Sequence, residues 1–309
     1  MTRSIAVSEG IPQDRKNVVA GGSVRVARAF GQLPPTVLLL LSMLSIQLGS
    51  ALATTLFSSL GPAGTAWTST ALSAVVLSAL APPKLDRRLR DHAWLILLFG
   101  LVDAGMALPF FLALQSIPLG IAAAITFVGP LGVAVATSRR VLHFACIGVA
   151  ALGVVLLTPA LGGAIDPVGL GLSAVAAAAW AGFVPISKRA GRTFSGADGL
   201  TFGLWAATLL LLPFALAEGG LFQAGTLDLA GAIAVALLTV VLPMAMEYQA
   251  LQHISARAYG VMMTLEPAIG ALVGVTFLGQ ALGVRMSVAI ACVTLAALGV
   301  TLSDRPDEP

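Results

Sequence analysis

The chain has 309 residues, of which 58% are hydrophobic and only 10% are charged. Soluble globular domains usually contain about 25% charged residues, so this composition excludes a soluble domain. The formal net charge of +3 comes from Lys and Arg residues that cluster between apolar runs. That arrangement is typical of membrane-protein loops and argues against a nucleic-acid-binding surface.

Apolar runs of membrane-spanning length follow an N-terminal segment that lacks apolar periodicity. We expect this segment, residues 1–34, and the C-terminal residues 303–309 to be cytoplasmic tails, the first of them disordered. About 20 apolar residues cross a bilayer as a helix, so the sequence predicts an all-α integral membrane protein with ten transmembrane helices. The ten runs fall at 35–55, 63–81, 93–114, 118–138, 142–158, 167–187, 198–217, 229–251, 256–278 and 283–302.

The connections between the runs alternate in charge. Basic residues fill every second connection, for example Lys84–Arg90 after run two and Lys188–Arg192 after run six. If the N-terminus is cytoplasmic, all of the 17 Lys and Arg residues except Arg285 lie on the cytoplasmic side. Basic residues in short loops stay inside, which predicts a multi-pass protein of a bacterial inner membrane with both termini in the cytoplasm.

The two halves of the chain share short patterns in the same order. Ala150–Val154 in run five recurs as Ala296–Val300 in run ten, and Gly129-Pro130 in run four matches Glu266-Pro267 in run nine. Chance matches are common in apolar sequence, but the shared order favours duplication. We predict two five-helix units, residues 35–160 and 161–302, which an odd number of spans places in opposite orientations, as in many secondary transporters.

Besides Asp198, which starts run seven, three acidic residues fall inside the predicted spans. Burying such a group is costly unless it is paired or faces a watery cavity, so Glu266 and Asp103 are candidates for binding a substrate ammonium group or a proton. Glu247 lies near the cytoplasmic end of run eight and is a candidate gate residue. The alternatives are protonated packing residues for Glu266 and Asp103, and an interfacial acid for Glu247.

Other residues add candidates for the walls of a pocket. Gln47, Thr126 and Trp180 offer polar and aromatic contacts, although each is also compatible with helix packing. Pro243 and Pro267 remove backbone donors beside the two glutamates, which is tolerated where the helix lines a cavity.

Sequence motifs of catalysis and of metal binding are absent. The sequence contains no HExxH, GxSxG or GxxxxGK[ST] pattern, and its three histidines fall at the ends of runs. Cys146 and Cys292 lie in apolar runs, as small buried hydrophobes do. We therefore expect neither an enzyme nor a cofactor.

With these residues in view, the chain resembles the drug/metabolite transporter superfamily, in the branch with two EamA repeats, and within it the threonine/homoserine exporter type. The likeness spans nearly all of residues 35–302. The motifs that carry it are Ser45-Ile-Gln47, Pro118–Ile121, Gly129–Leu131, Ser138–Arg140, Leu242-Pro243, Glu247, Met263–Ala268 and Phe277–Gly279.

The resemblance implies a ten-helix bundle of two inverted EamA repeats around a central cavity, and export of amino acids or similar metabolites. Gln47, Glu247 and Glu266 fall on matching positions. Thr126 stands where related exporters tend to carry an acid, Thr54 stands where a Lys is expected, and Asp103 is an addition.

The function expected from these features is export of a small metabolite across the lipid bilayer by alternating access, with threonine and homoserine as the leading substrates. Two alternatives stay open at this point, a permease for drugs or other metabolites and a membrane scaffold or sensor that transports nothing. The sequence does not decide whether the chain acts alone or as a homodimer.

Overall fold

A computed structural model describes residues 33–136, 166–194, 197–222, 224–251, 262–281 and 283–303, with isolated residues between 145 and 156. The secondary structure of these described residues is helical. The α-helices are α1 (Pro35–Thr55), α2 (Gly61–Leu80), α3 (Arg87–Asp91), α4 (Ala93–Ala113), α5 (Leu119–Ala136), α6 (Pro167–Thr193), α7 (Asp198–Glu218), α8 (Thr226–Ala236), α9 (Leu242–Leu251), α10 (Glu266–Leu278) and α11 (Val284–Ser303). A 3₁₀ turn at Gly220–Phe222 precedes α8, and a π-helical segment at Leu237–Val241 joins α8 to α9.

The apolar runs predicted from the sequence overlap these helices, except that run five falls outside the described residues apart from isolated positions. Run nine, 256–278, differs at its start, because residues 256–261 lie outside the described residues and α10 begins only at Glu266. Among the described helices, α1, α2, α4, α6, α7 and the helix through Thr226–Met244 are long and apolar enough to cross a membrane. The apolar stretches of α5, α10 and α11 are shorter. The chain is thus a helical, multi-pass membrane protein, and the count of ten spans in two inverted repeats stays a prediction.

The connection expected after run six differs from the structure. Lys188, Arg189 and Arg192 lie inside α6, which continues to Thr193. Lys and Arg are good helix formers, and cations near a helix C-terminus are favourable for its dipole, so the helix extends past the apolar run. The Arg189 guanidinium also lies 4.9 Å from the centre of the Trp94 ring on α4, where it can make a cation–π contact.

The helix ends follow local capping chemistry. Asp166 caps α6 by accepting hydrogen bonds from the backbone N–H groups of Val168 and Gly169, and Pro167 occupies the first turn. The Ser116 hydroxyl and the Val168 N–H together hold the pKa of Asp166 below its ordinary value. Helix α10 ends at Gly279, whose φ of 63° is in the left-handed region that favours glycine.

The described helices are arranged so that the two halves of the chain alternate. Helices α1, α2, α4 and α5 have their main neighbours among the helices of residues 166–303. Going from neighbour to neighbour, the order is α1, α10, α5, α6, α4, α7, α2 and then the α8–α9 helix, which returns to α1. Helix α11 packs on α5 and α10.

Side chains join the two halves at the end of the bundle opposite the basic residues. Glu218 accepts a hydrogen bond from the Gly64 N–H at 3.0 Å, and the Ser59 hydroxyl donates to Asp228 at 2.6 Å. The Gln280 carbonyl oxygen accepts from the Leu119 N–H at 3.1 Å. Since each bond pairs one half with the other, we call this end of the bundle the tied end.

The contact of α5 with α10 depends on a glycine. A Cβ atom at Gly120 would lie 2.5 Å from the Cα atom of Ala271 and 2.7 Å from its Cβ atom. Gly120→Ala is therefore expected to push the helices apart and lower the free energy of unfolding by about 1–3 kcal/mol. Thermal unfolding in detergent measures this, with Gly171→Ala as the control because a Cβ there meets nothing within 4 Å. Equal midpoints for both variants would show that this contact is loose.

Candidate functional site

The six residues that the sequence singled out lie on six consecutive members of the helix ring. In ring order these elements are α9, α1, α10, α5, α6 and α4. The residues they carry, in the same order, are Glu247, Gln47, Glu266, Thr126, Trp180 and Asp103.

Gln47 and Glu266 meet in the interior. Gln47 is 2% exposed and Glu266 is 8% exposed, although both are polar. The Gln47 Nε2 atom donates a long hydrogen bond of 3.4 Å to the backbone oxygen of Glu266. Because a backbone oxygen only accepts, this contact leaves the Gln47 Oε1 atom as an acceptor on the other side of the amide.

Two buried acceptors of this pair lack a donor in the part of the chain that the structure describes. The Oε1 atom of Gln47 and the Oε2 atom of Glu266 have no hydrogen-bond partner among the described residues. An unsatisfied buried polar atom costs about 1–3 kcal/mol, and native proteins keep such atoms rarely. Their coincidence on two touching residues makes this pair a candidate site for a ligand that donates hydrogen bonds.

Glu247 joins this pair from α9. The Ser42 hydroxyl on α1 donates a 2.6 Å hydrogen bond to the Glu247 Oε1 atom. No described Lys or Arg is ion-paired with Glu266. We call Ser42, Gln47, Glu247 and Glu266 the glutamate cluster.

Helix α10 begins inside the bundle. It starts at Glu266-Pro267 and has 13 residues, so it is about 20 Å long and shorter than a bilayer core of roughly 30 Å. Its first turn lies beside Gln47, at the middle of α1. Gly270 allows this approach, because a Cβ atom there would be 3.1 Å from the Gln47 Nε2 atom.

The remaining predicted residues lie outside the glutamate cluster. The buried Thr126 hydroxyl donates to the Ala122 backbone oxygen of its own helix at 2.7 Å. Trp180 is half-buried and packs edge-on against Phe127, with 6.0 Å between the ring centres. Asp103 is half-buried on α4 and makes no hydrogen bond or ion pair with the residues that the structure describes.

Ser42 is a residue of the glutamate cluster that the sequence analysis did not single out. A serine in an apolar helix usually returns its hydroxyl to its own backbone, as Ser50 does with the Ile46 oxygen at 2.9 Å. The sequence did contain a signal for Ser42. Ser42 lies three residues before Ser45, and this spacing places both serines on the same face of α1. Ser45 was noticed only as part of a family motif.

The arrangement offers acceptors, two of which, on Gln47 and Glu266, have no partner among the described residues. Such a set suits an ammonium group, which brings three donors and one positive charge. A proton on either glutamate is the alternative occupant. The cluster contains neither an activated nucleophile nor a general acid–base pair beside one, so it is suited to binding rather than to covalent chemistry.

Comparison of the sequence with known proteins places the chain in a family. Threonine/homoserine exporter RhtA of Escherichia coli (strain K12) is 34% identical over 278 residues, which are 88% of this chain and 93% of that protein. RhtA of Salmonella typhimurium (strain LT2) is 35% identical over 276 residues, 88% and 92% of the two chains. The model of the EamA-like transporter family matches residues 167–302. This chain belongs to the EamA-like transporter family.

Membership in the EamA-like family makes the chain a membrane transporter and confirms the family resemblance inferred from the sequence. The range matched by the family model begins at the first residue of α6 and ends in α11. A protein of known crystal structure has a similar fold, with a TM-score of 0.57 and 21% identity over 86% of this chain and 96% of that one.

Proposed function

We propose that this EamA-like transporter exports threonine, homoserine and similar small amino acids from the cytoplasm across a bacterial inner membrane. Two findings support the proposal. The glutamate cluster has buried acceptors without a donor among the described residues, and the chain is 34–35% identical to two threonine/homoserine exporters over 88% of its length. It includes ten spans in two inverted repeats, with both termini and the basic end in the cytoplasm.

The observation that carries the proposal is the pair of unpartnered buried acceptors on Gln47 and Glu266. The α-ammonium group of an amino acid supplies donors for both, and its charge balances one glutamate. Hydrogen bonds between charged partners contribute about 1.5–3 kcal/mol each. Glu247, held by Ser42 near the basic end, acts as the gate on the cytoplasmic side.

Alternating access then requires the tied end to open. Glu218, Asp228 and Gln280 hold the two halves together there through hydrogen bonds to the opposite half. We place this end on the periplasmic side, so that substrate enters from the cytoplasm while these bonds are made. Release needs the bonds to break, and water can replace them at the membrane surface at little cost.

Transport in proteoliposomes tests the amino-acid assignment. Labelled threonine is preloaded, and homoserine, 4-hydroxybutanoate or a cationic drug is added outside to drive exchange. Homoserine is expected to exchange, while 4-hydroxybutanoate, which is the same molecule without the amine, is not. Exchange with the cationic drug alone would favour the drug-permease alternative, and absence of any exchange would favour the scaffold.

We propose that Asp103 is a second polar residue on the transport pathway. It lies on α4, which is on the opposite side of the helix ring from α1. Its half-buried carboxyl makes no hydrogen bond or ion pair with a described residue. Asp103→Asn is expected to slow threonine exchange about three- to ten-fold, which is less than a change at Glu266, because a single hydrogen bond to solvent or substrate is altered. An unchanged rate and an unchanged pH dependence would assign Asp103 to packing.

A further inference from the structure

The helix that leads to Glu247 has a gap in its backbone hydrogen bonds. In the π-helical segment, the Leu242 N–H bonds to the Leu237 oxygen five residues back. It is therefore not available to Leu238, its usual partner four residues back in an α-helix. The next donor in the π pattern would come from residue 243, which is a proline and has no N–H. The Leu238 oxygen thus lacks a backbone donor.

Ser45 fills this gap from the neighbouring helix. Its hydroxyl donates a 2.7 Å hydrogen bond to the Leu238 oxygen, and the Ser45 side chain is buried. Gly49, one turn further along α1, brings the two helices close, because a Cβ atom there would lie 2.6 Å from the Thr239 side chain. Other hydroxyls of α1, such as those of Ser50 and Thr54, bond to their own helix.

We infer that Ser45 is a positioning residue for transport, because its hydroxyl replaces the donor that Pro243 lacks and so sets the direction of α9. Glu247 lies one turn beyond Pro243 on α9, where Ser42 holds it. Serines in membrane helices also bond to the oxygen four residues back, which for Ser45 is that of Leu41. The Ser45 hydroxyl can therefore donate to the oxygen of either Leu238 or Leu41. When it donates to Leu41 instead of Leu238, α9 is free to bend at the π-helical segment.

Hydrogen exchange tests this inference without a substrate. Ser45→Ala is expected to speed amide exchange in residues 239–246 roughly ten-fold, since the helix loses the hydrogen bond from Ser45 that ties Leu238 to α1. Ser50→Ala is the matched control, being a buried serine of the same helix whose hydroxyl stays within it. Pro243→Ala supplies an N–H for the Leu238 oxygen, so adding it to Ser45→Ala is expected to restore slow exchange.

Transport gives the second readout, and this part rests on the proposed function of Glu247. Ser45→Ala is expected to lower threonine exchange about ten-fold, and Ser50→Ala to leave it unchanged. In a Glu247→Gln background, Ser45→Ala is expected to cause no further loss, because Ser45 acts through Glu247. A residue with a purely structural role would lower transport in both backgrounds.

The two readouts separate the two proposals. Equal rates of amide hydrogen exchange in Ser45→Ala and wild type would overturn the role of Ser45 whatever the substrate is. Failure of Pro243→Ala to restore slow amide exchange would overturn it as well. Wild-type protein that moves no amino acid overturns the proposed function and leaves the hydrogen-exchange result standing. An equal fall in transport with and without Glu247→Gln contradicts the coupling of Ser45 to Glu247.

Discussion

Glu266→Gln is expected to lower threonine efflux roughly 100-fold while the protein folds and inserts normally. The change keeps the shape of the side chain and removes the charge that balances the substrate ammonium group. A hydrogen bond between charged partners contributes up to about 3 kcal/mol, which corresponds to this factor. Folding is expected to be insensitive, because no described residue satisfies the Glu266 Oε2 atom in the first place.

The matched control for this prediction is Asp91→Asn on α3. Asp91 is an exposed acid that belongs neither to the glutamate cluster nor to the tied end. Efflux of labelled threonine, corrected for the amount of protein in the membrane, is the measurement. Comparable efflux from the two variants would remove Glu266 from the binding site.

Gln47→Leu is expected to have opposite effects on stability and on transport. Leucine has nearly the volume of glutamine and removes the unpaired Gln47 Oε1 atom, while only the long 3.4 Å hydrogen bond to the Glu266 backbone oxygen is lost. Since the buried Gln47 Oε1 atom lacks a partner, its removal is expected to raise the free energy of unfolding by about 1 kcal/mol. Transport is expected to fall at least roughly ten-fold, with most of the loss in apparent affinity, because one acceptor for the ammonium group is gone.

Thermal unfolding in detergent and concentration-dependent exchange in proteoliposomes measure the two effects. Ser50→Ala is again a control, since the buried Ser50 hydroxyl is paired with its own helix and contributes nothing to the cluster. A packing role for Gln47 predicts the reverse pattern, with lower stability and unchanged affinity. That outcome would contradict the interpretation of the unpartnered acceptors as part of a binding site.

The positions of the helices were predictable because apolar runs record burial in lipid directly. The first run, 35–55, has the bounds of α1, and the run at 198–217 differs from α7 by one residue. Charged residues misled the prediction at α6, where Lys188 and Arg189 were assigned to a connection. Hydropathy detects where lipid ends, whereas the helix ends where its backbone hydrogen bonds end.

Glu266 and Gln47 could also be selected as candidates from the sequence. An acid or an amide buried in an apolar run costs free energy, so its presence there indicates a function. Their contact across 219 residues was not, because neither periodicity nor composition reports which helices are neighbours. The π-helical segment was missed for a related reason. Pro243 indicates a broken ladder, but the compensating donor, Ser45, comes from a distant part of the sequence.

The separation of Asp103, Thr126 and Trp180 from the glutamate cluster has the same origin. Depth along a helix is readable from the sequence, whereas the direction of a side chain depends on packing against neighbours. The apolar contact of Trp180 with Phe127 illustrates this, because both residues lie in runs without a polar stripe. The roles of these three residues therefore stay predictions.

The most direct test of the central claim is efflux of labelled threonine and homoserine from bacterial cells that express this chain and lack their own exporters. Wild-type protein is expected to speed the loss of both amino acids and to protect cells from high external homoserine, and Glu266→Gln is expected to do neither at equal membrane abundance. Correctly inserted wild-type protein that leaves both efflux rates at the level of empty cells would contradict the assignment.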